Sequence, residues 1–241
     1  MPRNLLLPEE SAGLIFTASR AFCLDDEEIE WLGEAKGSWQ LPDTGYAGIV
    51  FNDNRDLRRR LLQDLDLSCI QILYFHNPFQ LFIDDLLNDI DRLERESQHN
   101  VPDDSDCELI SSLHGLRALN LTESNITDDG LRLVCEVQSL ESLSVSYTNV
   151  TDAAIESIAK LVDLRELDLS ITLLSDEGLA KVGELRTLEE LRLSSTGISE
   201  DGIVHLLNLQ KLKFLDVSET AIAEDGIAIL QAALGNCQIY F

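Results

Sequence analysis

The sequence predicts an α/β solenoid, a right-handed β-α superhelix in which a parallel sheet lines the concave side. Two observations predict this fold. Five blocks of the chain recur at a constant spacing of 24 residues, and they begin at Leu116, Leu140, Leu164, Leu188 and Leu212. Each block holds alternating apolar residues, as in LRALNL, followed by a hydroxyl residue and acids, as in TDDGL. A fixed period with one strand and one helix per unit is typical of solenoids, whose units bury their apolar faces only by stacking.

The alternating half of each block predicts a short strand with one buried face, because successive side chains of a strand point to opposite sides of the sheet. One inward column holds Leu119, Leu143, Leu167, Leu191 and Leu215. A second inward column holds Leu121, Val145, Leu169, Leu193 and Val217. A third, after the strand, holds Ile126, Val150, Leu174, Ile198 and Ile222. The residues between the first two columns are expected to face outward.

The other half of each block predicts a helix. Hydroxyl residues that precede acids are a helix start signal, since the hydroxyl caps the helix and the acids lie near its positive end. They stand at Thr127, Thr151, Ser175 and Ser199. A small residue follows in the first turn, where a larger side chain is expected to strike the neighbouring turn of the solenoid. These small residues are Gly130, Ala154, Gly178, Gly202 and Gly226.

A second hydroxyl column lies in the turn after each strand, and it is predicted to be internal and to satisfy backbone groups of that turn. Its members are Ser124, Thr148, Thr172, Thr196 and Thr220.

The repeats are predicted to occupy residues 101–241. Residues 101–113 align with the helical part of a block, so they are expected to form a half repeat that lacks its strand. Five full repeats follow. Ile239 and Phe241 then fall on inward strand positions, which predicts a terminal sixth strand whose two apolar side chains cover the fifth repeat.

Residues 1–100 are predicted to form an α/β cap region. Helices are expected within residues 8–22, 25–39, 55–65 and 79–95, and strands within 48–53 and 69–75. Ile49 and Leu73 are also 24 residues apart, which favours degenerate repeats that continue the sheet. A separate small domain is the competing interpretation.

The frame LxxLxLxxTxIxDxGL, seen as LRALNLTESNITDDGL from Leu116 and LRELDLSITLLSDEGL from Leu164, resembles that of leucine-rich repeat proteins. The ITDDGL and LSDEGL segments, and the closing ALGNCQIYF, are similar to those of short bacterial members. The resemblance covers residues 101–241. It implies the solenoid fold and leaves the binding partner open.

The outward strand positions change from repeat to repeat while the inward columns do not, which is the pattern of a recognition surface. Tyr147 and Ile171, just past two strands, and Phe214, expected to be exposed, supply apolar anchors of the kind found in interface cores. The candidate protein-binding residues are Asn120, Ser144, Tyr147, Glu166, Asp168, Ile171, Glu190, Arg192, Phe214 and Asp216. The sequence therefore predicts a non-enzymatic module that binds a partner protein on the concave sheet face.

The net charge of the chain limits the classes of partner that it can bind. The 44 acidic and 18 basic residues give a net charge of -26, which repels nucleic acid and anionic membranes. A protein partner with a basic or mixed surface is expected, and the oligomeric state is left open. There is no recognisable nucleophile motif, phosphate-binding loop or metal-ligand spacing, so neither catalysis nor a cofactor or metal is predicted.

The expected cellular location follows from the search for targeting and membrane-spanning segments in the sequence. Residues 1–7 are too short for a secretory signal, and no apolar stretch is long enough to span a membrane. If the chain begins at Met1, a cytoplasmic location is expected. The cysteines are scattered and odd in number, so free thiols are expected.

One alternative function comes from a second resemblance. LPEESAGLIF, from Leu7 to Phe16, is similar to the opening of an F-box, with a Trp downstream at Trp31 or Trp39. Ser19 and Leu24 depart from that pattern, and its closing motif is absent. The resemblance implies amino-terminal helices that bind an adaptor of a ubiquitin ligase and repeats that present the substrate.

Overall fold

The structure is a computed structural model, and it describes residues 3–6, 13–18, 29–34, 38–41, 46–51, 70, 72–74 and 101–241. The amino-terminal strands are β1 (Arg3–Leu6), β2 (Gly13–Ala18), β3 (Ile29–Glu34), β4 (Ser38–Leu41), β5 (Tyr46–Phe51) and β6 (Ile72–Tyr74). Strand β1 pairs with β4 in one antiparallel sheet, and β2 lies antiparallel between β3 and β5 in another.

Two amino-terminal predictions are confirmed and two are wrong. The predicted strands are β5 and β6, which pair in parallel with Ile49 opposite Leu73, and both side chains are buried. The helices predicted within residues 8–22 and 25–39 are wrong where the structure describes them, because β2 and β3 run there. Pairing with β5 satisfies the backbone of β2 along its length, and such tertiary pairing overrides a weak helical pattern.

The helices predicted within residues 55–65 and 79–95 lie outside the described residues. The boundary at residue 100 stays a prediction.

The repeat region alternates helices and strands. The helices are α1 (Asp104–Ile110), α2 (Asp128–Val134), α3 (Asp152–Ile158), α4 (Asp176–Val182), α5 (Ile203–Leu206) and α6 (Glu224–Ala233). The strands are β7 (Ala118–Asn120), β8 (Ser142–Ser144), β9 (Glu166–Asp168), β10 (Glu190–Arg192), β11 (Phe214–Asp216) and β12 (Gln238–Tyr240). Helix α1 is the predicted half repeat, and β12 is the predicted terminal strand.

All of the repeat strands join one parallel sheet in the predicted register. The described sheet has the order β12-β11-β10-β9-β8-β7-β6-β5-β2-β3. Each repeat strand pairs with its equivalent in the next repeat, so that Leu119 is opposite Leu143 and Leu215 is opposite Ile239. This register stacks the inward columns into one continuous core between the sheet and the helices.

The inward columns are buried except at the carboxyl-terminal end. Ile222 and Ile239 are only partly buried, and the prediction that Phe241 covers the fifth repeat is wrong because its side chain is 68% exposed. Strand β12 ends at Tyr240, and no repeat lies beyond it within the described residues to pack over Phe241.

The predicted hydroxyl caps form where the helix begins directly after them. Thr127, Thr151 and Ser175 each accept a hydrogen bond at 3.2 Å from the backbone N–H two residues later. Ser199 makes the same bond at 3.3 Å, but helix α5 begins only at Ile203, after a turn.

Four of the five predicted turn hydroxyls are internal, Thr220 is half-buried, and all five bond to the backbone of their own repeat. Ser124, Thr148, Thr172 and Thr196 are buried, and each donates to the carbonyl three residues earlier at 2.6 Å.

A row of carboxylates links each repeat to the next at the amino-terminal ends of the helices. Asp152 accepts hydrogen bonds from the backbone N–H of Ser175 at 2.8 Å and from its hydroxyl at 2.5 Å. Asp104, Asp128 and Asp176 bond in the same way to the capping residues Thr127, Thr151 and Ser199. We call these four aspartates the carboxylate ladder.

The carboxylate ladder also explains the small residue in the first helical turn. A Cβ atom added at Gly130, Gly178 or Gly202 would collide with the ladder aspartate of the preceding repeat. The prediction that a larger side chain would strike the neighbouring turn of the solenoid is therefore confirmed. The structure identifies the group that it would strike as a carboxylate.

Candidate protein-binding surface

The outward side chains of β7 to β12 form the candidate surface, which we call the strand face. The parallel register places equivalent residues of adjacent repeats side by side, for example Ser142 beside Glu166 and Glu166 beside Glu190. Seven of the predicted residues lie on this face and are half-buried: Asn120, Ser144, Asp168, Glu190, Arg192, Phe214 and Asp216. The sheet therefore brings most of the predicted site together on one surface.

Glu166 departs from the prediction because it is buried, with 7% of its surface exposed. Its Oε2 atom accepts a hydrogen bond from the Ser142 hydroxyl at 3.1 Å. Outward side chains of adjacent strands are close neighbours in a parallel sheet, and the small serines of β8 leave room for the glutamate to lie against the sheet. Glu166 therefore contributes mainly to packing between repeats.

Phe214 is half-buried and not exposed as predicted, because two side chains of adjacent strands cover it. The Arg192 guanidinium carbon lies 4.7 Å from the centre of the phenyl ring, within cation–π range. On the other side, the Tyr240 ring centre lies 5.2 Å away. We call this arrangement the aromatic stack. Aromatic and arginine side chains of this kind are enriched in binding hot spots.

Tyr240 was not among the residues predicted from the sequence, although a signal was present. Ile239 was placed inward on the sixth strand, so the next residue had to face outward on the strand face. Tyr240 remains exposed beyond its contact with Phe214. The strand face therefore extends one strand further than predicted.

A row of charges of alternating sign lies immediately before the strands and was also missed. It consists of Arg117, Glu141, Arg165, Glu189 and Lys213, each 24 residues from the next. Arg117 pairs with Glu141, and Glu189 pairs with both Arg165 and Lys213. The alternation of sign at the repeat spacing could have revealed this row. We call it the charged row.

The two cations beside Glu189 displace its titration. The hydrogen bond from Lys213 lowers the pKa of Glu189 below its usual value, and Arg165 acts in the same direction, while burial opposes them. Glu189 is therefore held in its charged form between two cations.

Charge on the strand face and the charged row is nearly balanced. Together they hold six acids, at Glu141, Glu166, Asp168, Glu189, Glu190 and Asp216, and four bases, at Arg117, Arg165, Arg192 and Lys213. Several are paired with each other, such as Glu190 with Arg192 at 3.0 Å. This surface does not share the strong net negative charge of the whole chain.

Tyr147 and Ile171 lie at the edge of the strand face in an unusual backbone conformation. Their φ angles are 55° and 53°, in the left-handed region, and Glu123, Ser195 and Glu219 have φ of 54° to 59° at equivalent positions. The conformation directs each N–H to the next repeat, as from Tyr147 to the Ser170 carbonyl at 3.0 Å. This conformation costs about 1–2 kcal/mol per non-glycine residue. In this protein it allows the hydrogen bonds that hold adjacent repeats together.

Exposed apolar side chains cluster at this edge. Tyr147 is 55% exposed and Leu173 is 62% exposed, while Ile171 between them in the chain is half-buried. The Leu173 N–H donates to the Val150 carbonyl at 2.9 Å, which places Leu173 beside the repeat that holds Tyr147. Tyr147, Ile171 and Leu173 form what we call the rim patch. Leu173 was missed because its position is polar or small in the other repeats.

The described residues bring together no cluster of metal ligands, and two of their cysteines are buried. Among them, no group of three His, Cys, Asp or Glu side chains is placed to hold a metal ion. Cys107 and Cys135 are free and buried, and burial raises the pKa of both thiols to about 12. In the same part of the chain, no helix is long and apolar enough to cross a membrane.

Comparison with known proteins agrees with the repeat geometry. Residues 113–135, 138–159 and 184–207 match the family model described as Leucine Rich repeat. The protein carries leucine-rich repeats. Such repeats are generally binding modules without catalytic activity. No curated protein matched the chain.

Two solved structures are similar to this leucine-rich repeat protein, and both are bacterial. Internalin C2 from Listeria monocytogenes is 25% identical, with a TM-score of 0.47, and the match covers 56% of this chain and 54% of that one. A leucine-rich repeat protein from Leptospira interrogans is 17% identical, with a TM-score of 0.39, and the match covers 73% and 55%. The matched part spans about half the length of each.

Proposed function

We propose that this leucine-rich repeat protein binds another protein through the strand face and the rim patch. The observation that carries the proposal is the contrast between columns of the same sheet. The inward column is leucine in all five repeats, whereas the adjacent outward positions are Asn120, Ser144, Asp168, Arg192 and Asp216. Packing dictates the first column and allows the residue type of the second to vary, although Asn120, Asp168 and Asp216 each accept a hydrogen bond from the turn backbone.

The rim patch and the aromatic stack supply the contacts that favour protein binding. Tyr147 and Leu173 expose apolar surface next to the polar strand face, and a buried apolar centre with a polar surround is the usual anatomy of an interface. Arg192, Phe214 and Tyr240 already restrain one another, so they lose little freedom on binding.

The balanced charge of the strand face favours a partner with a mixed surface over a strongly basic one. Many of the acids that make the net charge negative form bonds within the protein. Examples are the aspartates of the carboxylate ladder and Glu189, which pairs with two cations. Long-range attraction from the net charge still acts at low salt. Close contact is governed by the mixed pattern of the face.

The alternative function, substrate recognition in a ubiquitin ligase, gains no support from the described residues. The F-box resemblance implies a helix across residues 13–18, and these residues form strand β2. We therefore place function in the repeats.

Replacing Tyr147 by Asn tests the proposal. Asparagine tolerates the left-handed backbone conformation better than tyrosine, so Tyr147→Asn removes the exposed ring without unfolding the turn. Partners are captured from cells of the source organism on the native chain and identified by mass spectrometry. We expect Tyr147→Asn to weaken the binding of the captured partner at least about 30-fold, the effect of a hot-spot residue.

Val204→Asn is the matched control, because Val204 is as exposed as Tyr147, at 55%, but lies on helix α5. It should leave binding unchanged. Equal binding by the native chain and Tyr147→Asn would contradict the assignment of the rim patch. Loss of binding only in Val204→Asn would place the site on the helices.

A further inference from the structure

The last described turn of the solenoid exposes positions that the preceding repeats bury. Ile222, Ala233 and Ile239 are half-buried, whereas the equivalent residues of the third repeat, Leu174, Leu185 and Leu167, are fully or almost fully buried. Gln231 is exposed, whereas its equivalents Cys135 and Gly183 are buried and Ala159 and Leu207 are half-buried. We call Ile222, Gln231, Ala233 and Ile239 the end face.

Three of the four end-face residues, Gln231, Ala233 and Ile239, lie in a segment without charged side chains. From Gly226 to Phe241 no residue has a charged side chain, in a chain with 44 acidic and 18 basic residues. Terminal repeats of solenoids normally carry a polar outer face that keeps them soluble. The composition of this end is instead that of a surface suited to contact with protein.

Strand β12 lies at the edge of the described sheet, and some of its backbone groups have no partner among the described residues. It pairs with β11 through the N–H of Gln238, which donates to the Lys213 carbonyl at 2.8 Å, and the carbonyl of Tyr240, which accepts from Val217 at 2.9 Å. Backbone groups alternate in direction along a strand, so the N–H and C=O of Ile239 point away from β11. Within the described residues no strand pairs with this outer edge.

We propose that the end face binds a second copy of this chain, with the two β12 strands paired antiparallel about a two-fold axis through Ile239. The Ile239 N–H of each copy would donate to the Ile239 carbonyl of the other, as in a hydrogen-bonded antiparallel pair. The axis is perpendicular to the sheet, so the two α6 helices lie side by side behind it and Gln231 faces the neighbouring copy.

A second copy fits this surface better than a different partner does. An isologous contact requires a self-complementary patch, and a single residue with both backbone groups free meets that requirement on the axis. Two chains with a net charge of -26 repel each other, and the uncharged segment 226–241 is where they can approach most closely. A charged partner would find no opposite charge there. This inference is independent of what the strand face binds.

Sedimentation velocity on the full chain tests the inference. We expect a dimer whose fraction rises with protein concentration and also with salt, because salt screens the repulsion between the two acidic chains. A partner attracted by the acidic charge would show the opposite salt dependence. A chain that stays monomeric at high concentration in high salt overturns the proposal.

Two variants of adjacent residues test the location of the contact. Gln231→Glu adds a charge to the end face, and we expect it to weaken dimerisation at least about tenfold. Ala232→Glu adds the same charge to the same helix at a position that is exposed in every repeat, and it should change dimerisation less than about twofold. Circular dichroism confirms that both variants fold. Equal weakening by both would overturn the assignment to the end face.

Cross-linking tests the strand pairing. Cα atoms of a hydrogen-bonded antiparallel pair are about 5.5 Å apart, within disulfide reach. The variant Ile239→Cys should therefore form a covalent dimer on mild oxidation, while the native chain under the same conditions controls for its own cysteines. A dimer that does not cross-link through residue 239 overturns the proposed pairing.

Discussion

Carboxylates at the helix edge and carboxylates near the strand face have different roles in this protein. In the carboxylate ladder, Asp104, Asp128, Asp152 and Asp176 make the same two bonds to the next repeat. Near the strand face three acids have individual partners: Glu166 bonds to a serine, Glu189 to Arg165 and Lys213, and Glu190 to Arg192.

This difference between the two sets of carboxylates shows how the acidic residues of a repeat protein can be assigned to structure or to recognition. An acid that makes the same bond in successive repeats, as in the carboxylate ladder, holds the repeats together, whereas Glu166, Glu189 and Glu190 each make a different bond. The net charge of -26 combines both kinds, so it overstates how acidic the strand face is. Three substitutions test this distinction, from the largest expected effect to the smallest.

Replacing a ladder aspartate should cost the most. Asp152→Ala removes the two hydrogen bonds that Asp152 accepts from Ser175. The backbone N–H of Ser175 is then left unpaired at the junction of two repeats. We expect the free energy of unfolding to fall by about 2–3 kcal/mol, because two hydrogen bonds of roughly 1–1.5 kcal/mol each are lost. Urea unfolding followed by circular dichroism measures it. Glu177→Ala, one residue into the first turn of α4 and exposed, should change it by less than about 0.5 kcal/mol.

Asp168→Ala should have a smaller effect. Asp168 lies on the strand face and accepts one hydrogen bond within its own repeat, from the Ser170 N–H at 2.9 Å. A loss of about 1 kcal/mol is expected from a single bond of this kind, measured by the same urea unfolding. The sequence alone predicts no cost, because the residue faces outward. If Asp168→Ala were as costly as Asp152→Ala, the distinction between the two regions would be wrong.

Glu189→Gln should have the smallest effect, and one that depends on pH. The folded-state pKa of Glu189 is lowered, chiefly by Lys213, so its charge stabilises the protein above the unfolded pKa, and this contribution disappears as the pH falls through the folded pKa. We expect a cost below about 1 kcal/mol at neutral pH, the usual value of a partly exposed ion pair.

Thermal unfolding of the native chain and Glu189→Gln across the acidic range measures this dependence. The two melting temperatures should differ at pH 7 and converge below the usual carboxyl range of about pH 4. A constant difference at every pH would show that packing, and not charge, accounts for the effect.

Sequence patterns predicted the repeat region well because its constraints are periodic. The inward leucines, the terminal strand, the capping hydroxyls and the obstructed first helical turn follow from a spacing that the chain repeats five times. Residues 13–18 and 29–34 have no such repetition. A single acidic start signal, DDEE before Ile29, predicted a helix where pairing between strands prevails.

The sequence by itself determined the period, the register and the side of the sheet to which each strand residue points, because equivalent residues of identical units must stack. Only the tertiary structure decided how outward neighbours from different repeats meet. The burial of Glu166 depends on Ser142, and the half-burial of Phe214 depends on Arg192 and Tyr240. These contacts join residues that vary independently from repeat to repeat, so no period reveals them, and the packing of specific side chains across adjacent strands decides them.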